Sequence, residues 1–483
     1  MKIVSIALAL VLFSLGSTFA AEKEKVSNQK LKEAVTASVD RHVTETTGLS
    51  DQVWQFAETA LRETRSSKLL ADYAEQQGFH VERGVAGLPT AFVASYGEGS
   101  PIIGILGEYD ALPGISQKAS PVKEPLQAGA AGHGCGHNLL GTASLAAAVA
   151  IKEQIAAGNL KGTLRYYGTP AEEAVGGKLY MARAGLFKDL DVCMAWHPST
   201  ETEADTGGSQ AIVDLIVEFH GKAAHAALDP WNGRSAVDGL EIFTHAINMM
   251  REHVKPTVRM HYVIVKGGDV PNVVPEYAKL WLWVRDSTMT GVEDLLIRIR
   301  KMVEGSGLAA DVEAKMTFQT GDYQMLVNMP GEKLLQTNLD WLGPLLFTEE
   351  EQDFARRIQS ATSVEMKGLS SAVKPLQPQP ADPEGGSTDV GDISWIVPVI
   401  NLNVTTSPEG TAWHAWPVVA SGGMSIGHKG LIYAAKALSA TMVDLYLSPG
   451  QREAIRKDFA AHNKGIVYKS YIPDGPPPIP EGY

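Results

Sequence analysis

Short apolar runs alternate with helical stretches between residues 91 and 207, and this alternation constrains the fold more than any other feature of the 483-residue chain. Ala91 to Tyr96, Ile102 to Leu106, Leu164 to Tyr167 and Val192 to Trp196 read as strands. The Ala- and Leu-rich stretch His137 to Ala157 and the shorter Gly177 to Ala184 read as helices. Strands separated by helices predict an α/β unit with a mostly parallel central sheet covered on both faces. In such sheets functional groups collect beyond the carboxyl ends of the strands. Upstream, residues 28 to 79 read as helical, with Val53, Phe56, Ala57 and Leu61 on one stripe.

The pattern changes near Gly208. Ala211 to Phe219 alternates as a strand, and Ser235 to His253 is an amphipathic helix with Val237, Leu240, Phe243, Ile247 and Met250 inward. Strands at Val258 to Val265 and Tyr277 to Val284, a helix at Val292 to Val303 and a strand at Glu313 to Thr320 complete the block. The order β-α-β-β-α-β is that of a ferredoxin-like unit. Helical patterns resume at Gly331 to Leu346 and Gly427 to Leu447, so residues 208–320 are expected to interrupt a first unit made of 21–207 and 321–483. The proline-rich stretches Lys374 to Gly386 and from Pro473 onward are expected to be extended or loop.

Charge and cysteine usage narrow the classes. A formal net charge of −13 argues against a general nucleic-acid binder, which needs clustered Lys and Arg to neutralise phosphates. Two cysteines, Cys135 and Cys193, exclude a disulfide-dense scaffold. Met1 and Lys2 precede an apolar run from Ile3 to Leu15, with small residues at Thr18 and Ala20, the pattern of a secretory signal over residues 1–20. Cleavage there would leave an exported, periplasmic or secreted chain, and no later stretch reads as long and apolar enough to span a bilayer.

The densest chemical signal is Gly132-His133-Gly134-Cys135-Gly136-His137-Asn138. Glycines let the backbone turn tightly, and a thiolate and an imidazole two residues apart can face one metal ion. The spacing fits neither a dinucleotide fingerprint nor a P-loop. A nucleophilic dyad of Cys135 with His133 or His137 is the rival reading. Glu172 and Glu173 follow one predicted strand and His197 ends another, so three strand ends on one sheet edge offer thiol, imidazole and carboxylate groups.

Several ordered motifs resemble the peptidase M20 family of metallopeptidases and amidohydrolases, nearest its group of aminobenzoyl-glutamate and other acyl-amino-acid hydrolases. They are Gly-Glu-Tyr-Asp-Ala-Leu-Pro at 107–113, the 132–138 cluster, Pro-Ala-Glu-Glu at 170–173, His197, Gly-Lys-Ala-Ala-His-Ala-Ala at 221–227, Pro-Asn-Val-Val at 271–274, Gly-Ser-Thr-Asp-Val-Gly-Asp at 386–392 and His414. The resemblance implies a zinc-peptidase-like catalytic domain holding two divalent metal ions per subunit, zinc, manganese, nickel or cobalt, with an inserted lid and dimerisation domain. It implies Cys135, His137, Glu173, His197 and His414 as metal ligands, Glu172 as general base and Asp110 as a carboxylate that orients a ligand imidazole. His428 competes with His414 for the last ligand position. Where many relatives carry a His-x-Asp ligand motif this chain has Glu108-Tyr109-Asp110, so Glu108 is not assigned as a ligand.

In the lid, the resemblance implies that His225 polarises the scissile carbonyl, in many members from the partner subunit, and that Asn272 and Arg285 hold the carboxylate of the released amino acid. The expected reaction is hydrolysis of an N-acyl amino acid, such as an aminobenzoyl-glutamate-like compound, or of a dipeptide, by metal-activated water. The expected assembly is a homodimer, with a heteromeric partner subunit as the other arrangement. A non-catalytic exported relative and a Cys-His amidohydrolase are the alternatives. Trp231, Trp281, Trp283, Trp413 and Trp416 could offer aromatic surface to a substrate, but in strands and loops such residues are more often core.

Overall fold

The computed structural model describes residues 28–479 apart from Glu384. The signal-segment expectation for residues 1–20 lies outside them. Strands β1 (His80–Arg83), β2 (Phe92–Glu98), β3 (Ile102–Glu108), β4 (Gly162–Thr169), β5 (Val192–Ser199) and β6 (Glu203–Ala204) join a late strand, β11 (Val399–Thr405), in one seven-stranded sheet of order β1-β2-β4-β3-β5-β11-β6. The four central strands β4, β3, β5 and β11 are parallel; β2 and β6 run antiparallel to them at the flanks, and β1 pairs antiparallel with β2 at the edge. Strands β7 (Ala211–His220), β8 (Arg259–Gly267), β9 (Tyr277–Asp286) and β10 (Glu313–Asp322) form a separate antiparallel sheet of order β10-β7-β9-β8. The helices Ala236–Met250 and Met289–Ala310 cover one of its faces through Leu240, Phe243, Ile247, Leu295 and Ile299.

The helix His137–Ala156 forms the spine of the first unit, buried along almost its whole length. Its alanines bring the backbone close to the sheet. At Gly141 a Cβ would stand 2.4 Å from the carbonyl oxygen of Glu108, so only glycine fits that contact. This helix corrects the expectation about spans: it is long and apolar enough to cross a membrane, yet most of it is packed inside the protein as a core helix. The N-terminal stripe is corrected too. Helices cover 28–41, Val43–Phe56 and Thr64–Gln76, but Ala57 and Leu61 sit in the left-handed region with φ of 44° and 60° and end the pattern.

Candidate active site

Parallel strands converge on one edge. β3 ends at Glu108 and is followed by Tyr109 and Asp110; β4 ends at Thr169 and leads through Pro170 and Ala171 into Glu172 and Glu173; β5 carries His197 near its carboxyl end. Since β3 lies between β4 and β5 and pairs in parallel with both, these ends lie side by side. The glycine-rich segment enters the spine helix at His137. Gly134 is where the distant His414 loop docks: its carbonyl accepts the His414 N–H at 3.1 Å, and a Cβ there would lie 2.2 Å from Ile115 Cδ1. His414 is held at φ 56°, a conformation that non-glycine residues adopt at a cost the surrounding structure must offset.

The result is a tight set of donor atoms. Cys135, His137 and His197 offer ligand atoms within 4.8 Å of one another; so do Cys135, Glu173 and His414, and so do Glu108, His137 and Glu172. The Cys135 sulfur is common to the first two groups. It lies 3.2 Å from His197 Nε2, while His414 Nε2 lies 3.4 Å from Glu173 Oε2. His197 Nδ1 sits 2.7 Å from the Pro198 carbonyl, which requires a proton on Nδ1 and leaves the Nε2 lone pair for the cluster. Burial lowers the His197 pKa to about 4, so the ring is neutral. His137 Nδ1 lies 3.0 Å from Asp110 Oδ1, and Asp110 Oδ2 also accepts the Glu173 N–H at 2.9 Å. Asp110 thus fixes one imidazole and the backbone of one carboxylate in the same set.

The electrostatics call for positive charge. Burial, then the neighbouring Glu108 and Glu173, pushes the Glu172 carboxyl well above the usual range. Burial raises Glu173 to about 7, with Asp110 and Glu108 adding to it. The Cys135 thiol is pushed up by burial and by Glu173. Burial opposes a charge on His137, but Cys135, Glu108 and Asp110 hold its pKa well above the ordinary value. His137 Nε2 faces Glu108 Oε2 at 3.1 Å without hydrogen-bond geometry, and a divalent ion bound there would take the place of the ring proton. One thiol, imidazoles and carboxylates converging at ligand distance fit divalent ions, and ligand type alone does not select among them.

Below the cluster lies an ion set that sequence reading missed. Lys178 is completely buried, with Nζ 2.6 Å from Glu108 Oε1 and 2.6 Å from Asp389 Oδ1. Its backbone N–H also donates to Asp389 Oδ2 at 3.0 Å. Glu108 is therefore engaged by a cation of the protein itself. Glu63 was missed as well: it is buried and accepts from the N–H groups of Leu61 and Ala171 at 3.0 Å each and from the Thr90 hydroxyl at 2.9 Å. Ala171, at φ 59°, immediately precedes Glu172. Asp389 lies inside the 386–392 motif, so its position was marked, but nothing local marks Lys178 as its partner or Glu63 as the acceptor for Ala171.

The remaining predicted residues fall into separate places. His428 bonds Asp51 at 2.7 Å and belongs to none of the ligand groups among the described residues; His133 is buried with Nε2 3.0 Å from the Val53 carbonyl. His225 is exposed in the lid, and its Nδ1 accepts from the N–H groups of Ala227 and Leu228 at 3.2 and 3.0 Å, which puts the proton on Nε2. The Asn272 carbonyl accepts the Ala226 N–H at 3.0 Å, so His225 and Asn272 share one end of the lid. Arg285 lies towards the other end of β9.

An α/β sheet with a metal-ligand cluster at its strand ends and an inserted ferredoxin-like lid defines a two-domain hydrolase of the metallopeptidase type. The chain belongs to the peptidase M20 family and is a hydrolase acting on amide bonds. The peptidase dimerisation domain of that family matches residues 208–309. The chain is 35% identical over 477 residues to one of the subunits of p-aminobenzoyl-glutamate hydrolase from Escherichia coli K12, covering 93% of this chain and 98% of that protein. It is 29% identical to Xaa-Arg dipeptidase of Mus musculus, covering 92% and 94% of the two chains. The fold matches a dinuclear metal-binding M20 peptidase of Bacillus subtilis with a TM-score of 0.58 at 16% identity, over 84% of this chain and 99% of that one.

Proposed function

We propose that this protein hydrolyses the amide bond of an N-acyl amino acid, with aminobenzoyl-glutamate-like compounds and dipeptides as the substrate class. The observation that carries the reading is the pair of ligand groups sharing Cys135, with Glu172 beside them. Cys135, His137, Glu173, His197 and His414 would hold two divalent ions, which when bound supply Lewis-acid activation of water and carbonyl. Glu172 takes the proton of the attacking water and passes it to the leaving amine. His225, with its proton on Nε2, donates to the carbonyl oxygen as charge develops there. Arg285 and Asn272 hold the carboxylate of the amino-acid product.

The placement of these last groups bears on assembly. From Tyr277, beside the Asn272 loop, to Arg285 the strand spans eight residue steps, about 27 Å at 3.4 Å per residue. A single carboxylate cannot touch both ends of one lid. We read residues 208–320 as a dimerisation lid through which one subunit lends His225 and Asn272 to the site of its partner, either a second copy or a different subunit. With the signal segment removed on export, the working enzyme lies outside the cytoplasm.

The test is a hydrolysis screen of N-acyl amino acids and dipeptides with and without chelator, alongside metal analysis of the wild type and Glu172→Gln. The variant should keep its metal and lose nearly all turnover, because it removes the proton carrier alone. Full activity in that variant or after complete metal removal refutes the mechanism; inactivation by thiol alkylation that chelation fails to reproduce would favour the Cys-His alternative.

A further inference from the structure

After the helix Pro449–His462 the chain runs without helix or strand over the junction between the two units. That junction consists of two linkers, which touch where the Ser209 hydroxyl accepts the Met325 N–H at 3.1 Å. The second linker is tied to the first unit at three points. Asp392 accepts the Tyr323 N–H at 2.9 Å, Ser394 accepts the Leu326 N–H at 2.8 Å, and the Gln324 carbonyl accepts the Trp395 indole N–H at 2.8 Å. A domain carried on two linkers moves about them by default unless contacts across the hinge hold it.

The segment after His462 supplies such contacts. Its first tie is the Asn463 side-chain amide, which donates to the Trp395 carbonyl at 3.0 Å. Tyr471 and Ile472, neighbours in sequence, then enter different cores. Tyr471 is 7% exposed and belongs to the lid core; its hydroxyl donates to Glu293 of the helix Met289–Ala310, and its ring lies 6.0 Å from Phe318 of β10. Ile472 packs on the cluster of the first unit that contains Tyr180, Met181 and Ile393. Rings continue the connection through the linker. Tyr323 stands 6.1 Å from Tyr471, 5.3 Å from Tyr468 and 5.7 Å from Trp395, and its hydroxyl accepts the Lys469 N–H at 3.3 Å. Beyond Ile472, Arg183 donates to the carbonyls of Pro473 and Gly475 at 2.9 and 2.7 Å, with its guanidinium 4.8 Å over the Tyr180 ring. The proline-rich stretch is therefore anchored to the first unit immediately after the chain has filled a place in the lid.

We propose that residues 463–475 are a brace that fixes the angle of the lid over the ligand cluster, with Tyr471 and Arg183 as positioning residues. The place of the brace explains why the angle matters. Tyr471 abuts Gly321, where a Cβ would lie 2.9 Å from its own, and the neighbouring row of the sheet runs from Asp322 through Ile212 to Arg285. The brace therefore acts at the end of the lid sheet that carries Arg285. As a positioning device it rests on the amide-hydrolase reading above, and it adds that the lid is held by a segment remote in sequence from both the lid and the ligands.

The test is a distance measurement by pulsed electron resonance on the full chain. Spin labels sit at the exposed positions Leu308→Cys of the lid and Lys188→Cys of the first unit, with labelled chains diluted in unlabelled ones. The labelled chain should give one narrow distance distribution. Tyr471→Ala, Arg183→Ala and deletion of residues 464–483 should each broaden it about twofold or more, whereas Tyr471→Phe, which keeps the ring contacts, should leave it narrow. In the same variants kcat/KM should fall about tenfold with metal content unchanged, since a misplacement of about 1 Å can cost more than that. A width unchanged by both Tyr471→Ala and the deletion overturns the brace; broadening with unchanged kcat/KM overturns its positioning role. The distances are read without turnover, so a chain that shows the expected widths yet cleaves no amide refutes only the hydrolase reading.

Discussion

Replacing Lys178 by Met isolates the ion set beneath the cluster. Methionine fills nearly the same volume, so the change leaves little cavity and the loss is electrostatic. Lys178 has no exposed surface and stands 2.6 Å from a carboxylate oxygen on each side, on Glu108 and on Asp389. Removing one partner from a buried ion pair costs about 3–5 kcal/mol, because the other charge stays buried without compensation. Here two carboxylates are stranded, and protonation of one offsets part of the penalty, so about 4 kcal/mol is expected. Urea denaturation at about pH 7.5 of metal-free protein measures it as a shift in the midpoint with unchanged slope. Adding Asp389→Asn should restore about half of the loss, since one stranded charge disappears while the acceptor of the Lys178 N–H is kept. A loss below about 1 kcal/mol, or a double variant no more stable than Lys178→Met, would show that the three groups are not coupled in this way.

Glu63→Leu should strand the N–H groups of Leu61 and Ala171 and the Thr90 hydroxyl at about 1–3 kcal/mol each, while Glu63→Gln, which keeps an acceptor oxygen, should stay near wild type; thermal melts compare them, and equal losses in both would count against the hydrogen-bond account. Asp214 supplies a pH dependence. Burial raises its carboxyl to about 6 from an ordinary value near 3.8, so the folded state holds its proton more tightly than the unfolded chain does. Its stabilisation is complete below about pH 4 and lost as pH rises through about 6, on the order of 3 kcal/mol in all. Asp214→Asn should therefore match the wild type near pH 4 and exceed it in stability above about pH 7; parallel stability-pH curves would contradict this. For the shared site, mixing His225→Ala with Glu172→Gln subunits should return part of the activity absent from each alone. No recovery under conditions that exchange subunits would mean that His225 works within its own chain.

The alternation of apolar runs carried most of the fold because it reports burial, which long strands and amphipathic helices impose on every second or every third to fourth residue. β3, β4, β5 and the spine helix are legible for that reason, as are the lid elements with one covered face. The strands that escaped are those with weak periodic signals. β1 and β6 are short, and β11 is an apolar run that periodicity alone does not separate from a buried helix segment. The chemistry divides along similar lines. Cys135, His137, Glu172 and Glu173 announce themselves by local spacing, since ligands close in space are there close in sequence. Lys178 with Asp389, and Glu63 with Ala171, are pairs formed across long stretches of chain, and each partner taken alone is an ordinary residue on a helical segment or loop.

The two classes of residue differ in what they must satisfy, which explains why one is readable and the other is not. A ligand needs a donor atom at a fixed point, and glycine spacing that lets the backbone reach that point leaves a mark in the sequence. A supporting charge needs only to be neutralised, and many arrangements of opposite charge would do. Trp281 and Trp283 show the intermediate case. Their alternation within Tyr277–Asp286 places them on one face of β9, but it does not say whether that face is covered. The register with β8 decides, by setting Arg259 beside Arg285 in the row next to Trp283 and leaving the indoles to line a pocket. Periodicity therefore fixes which side a residue faces, and only the pairing of distant strands decides what lies beside it.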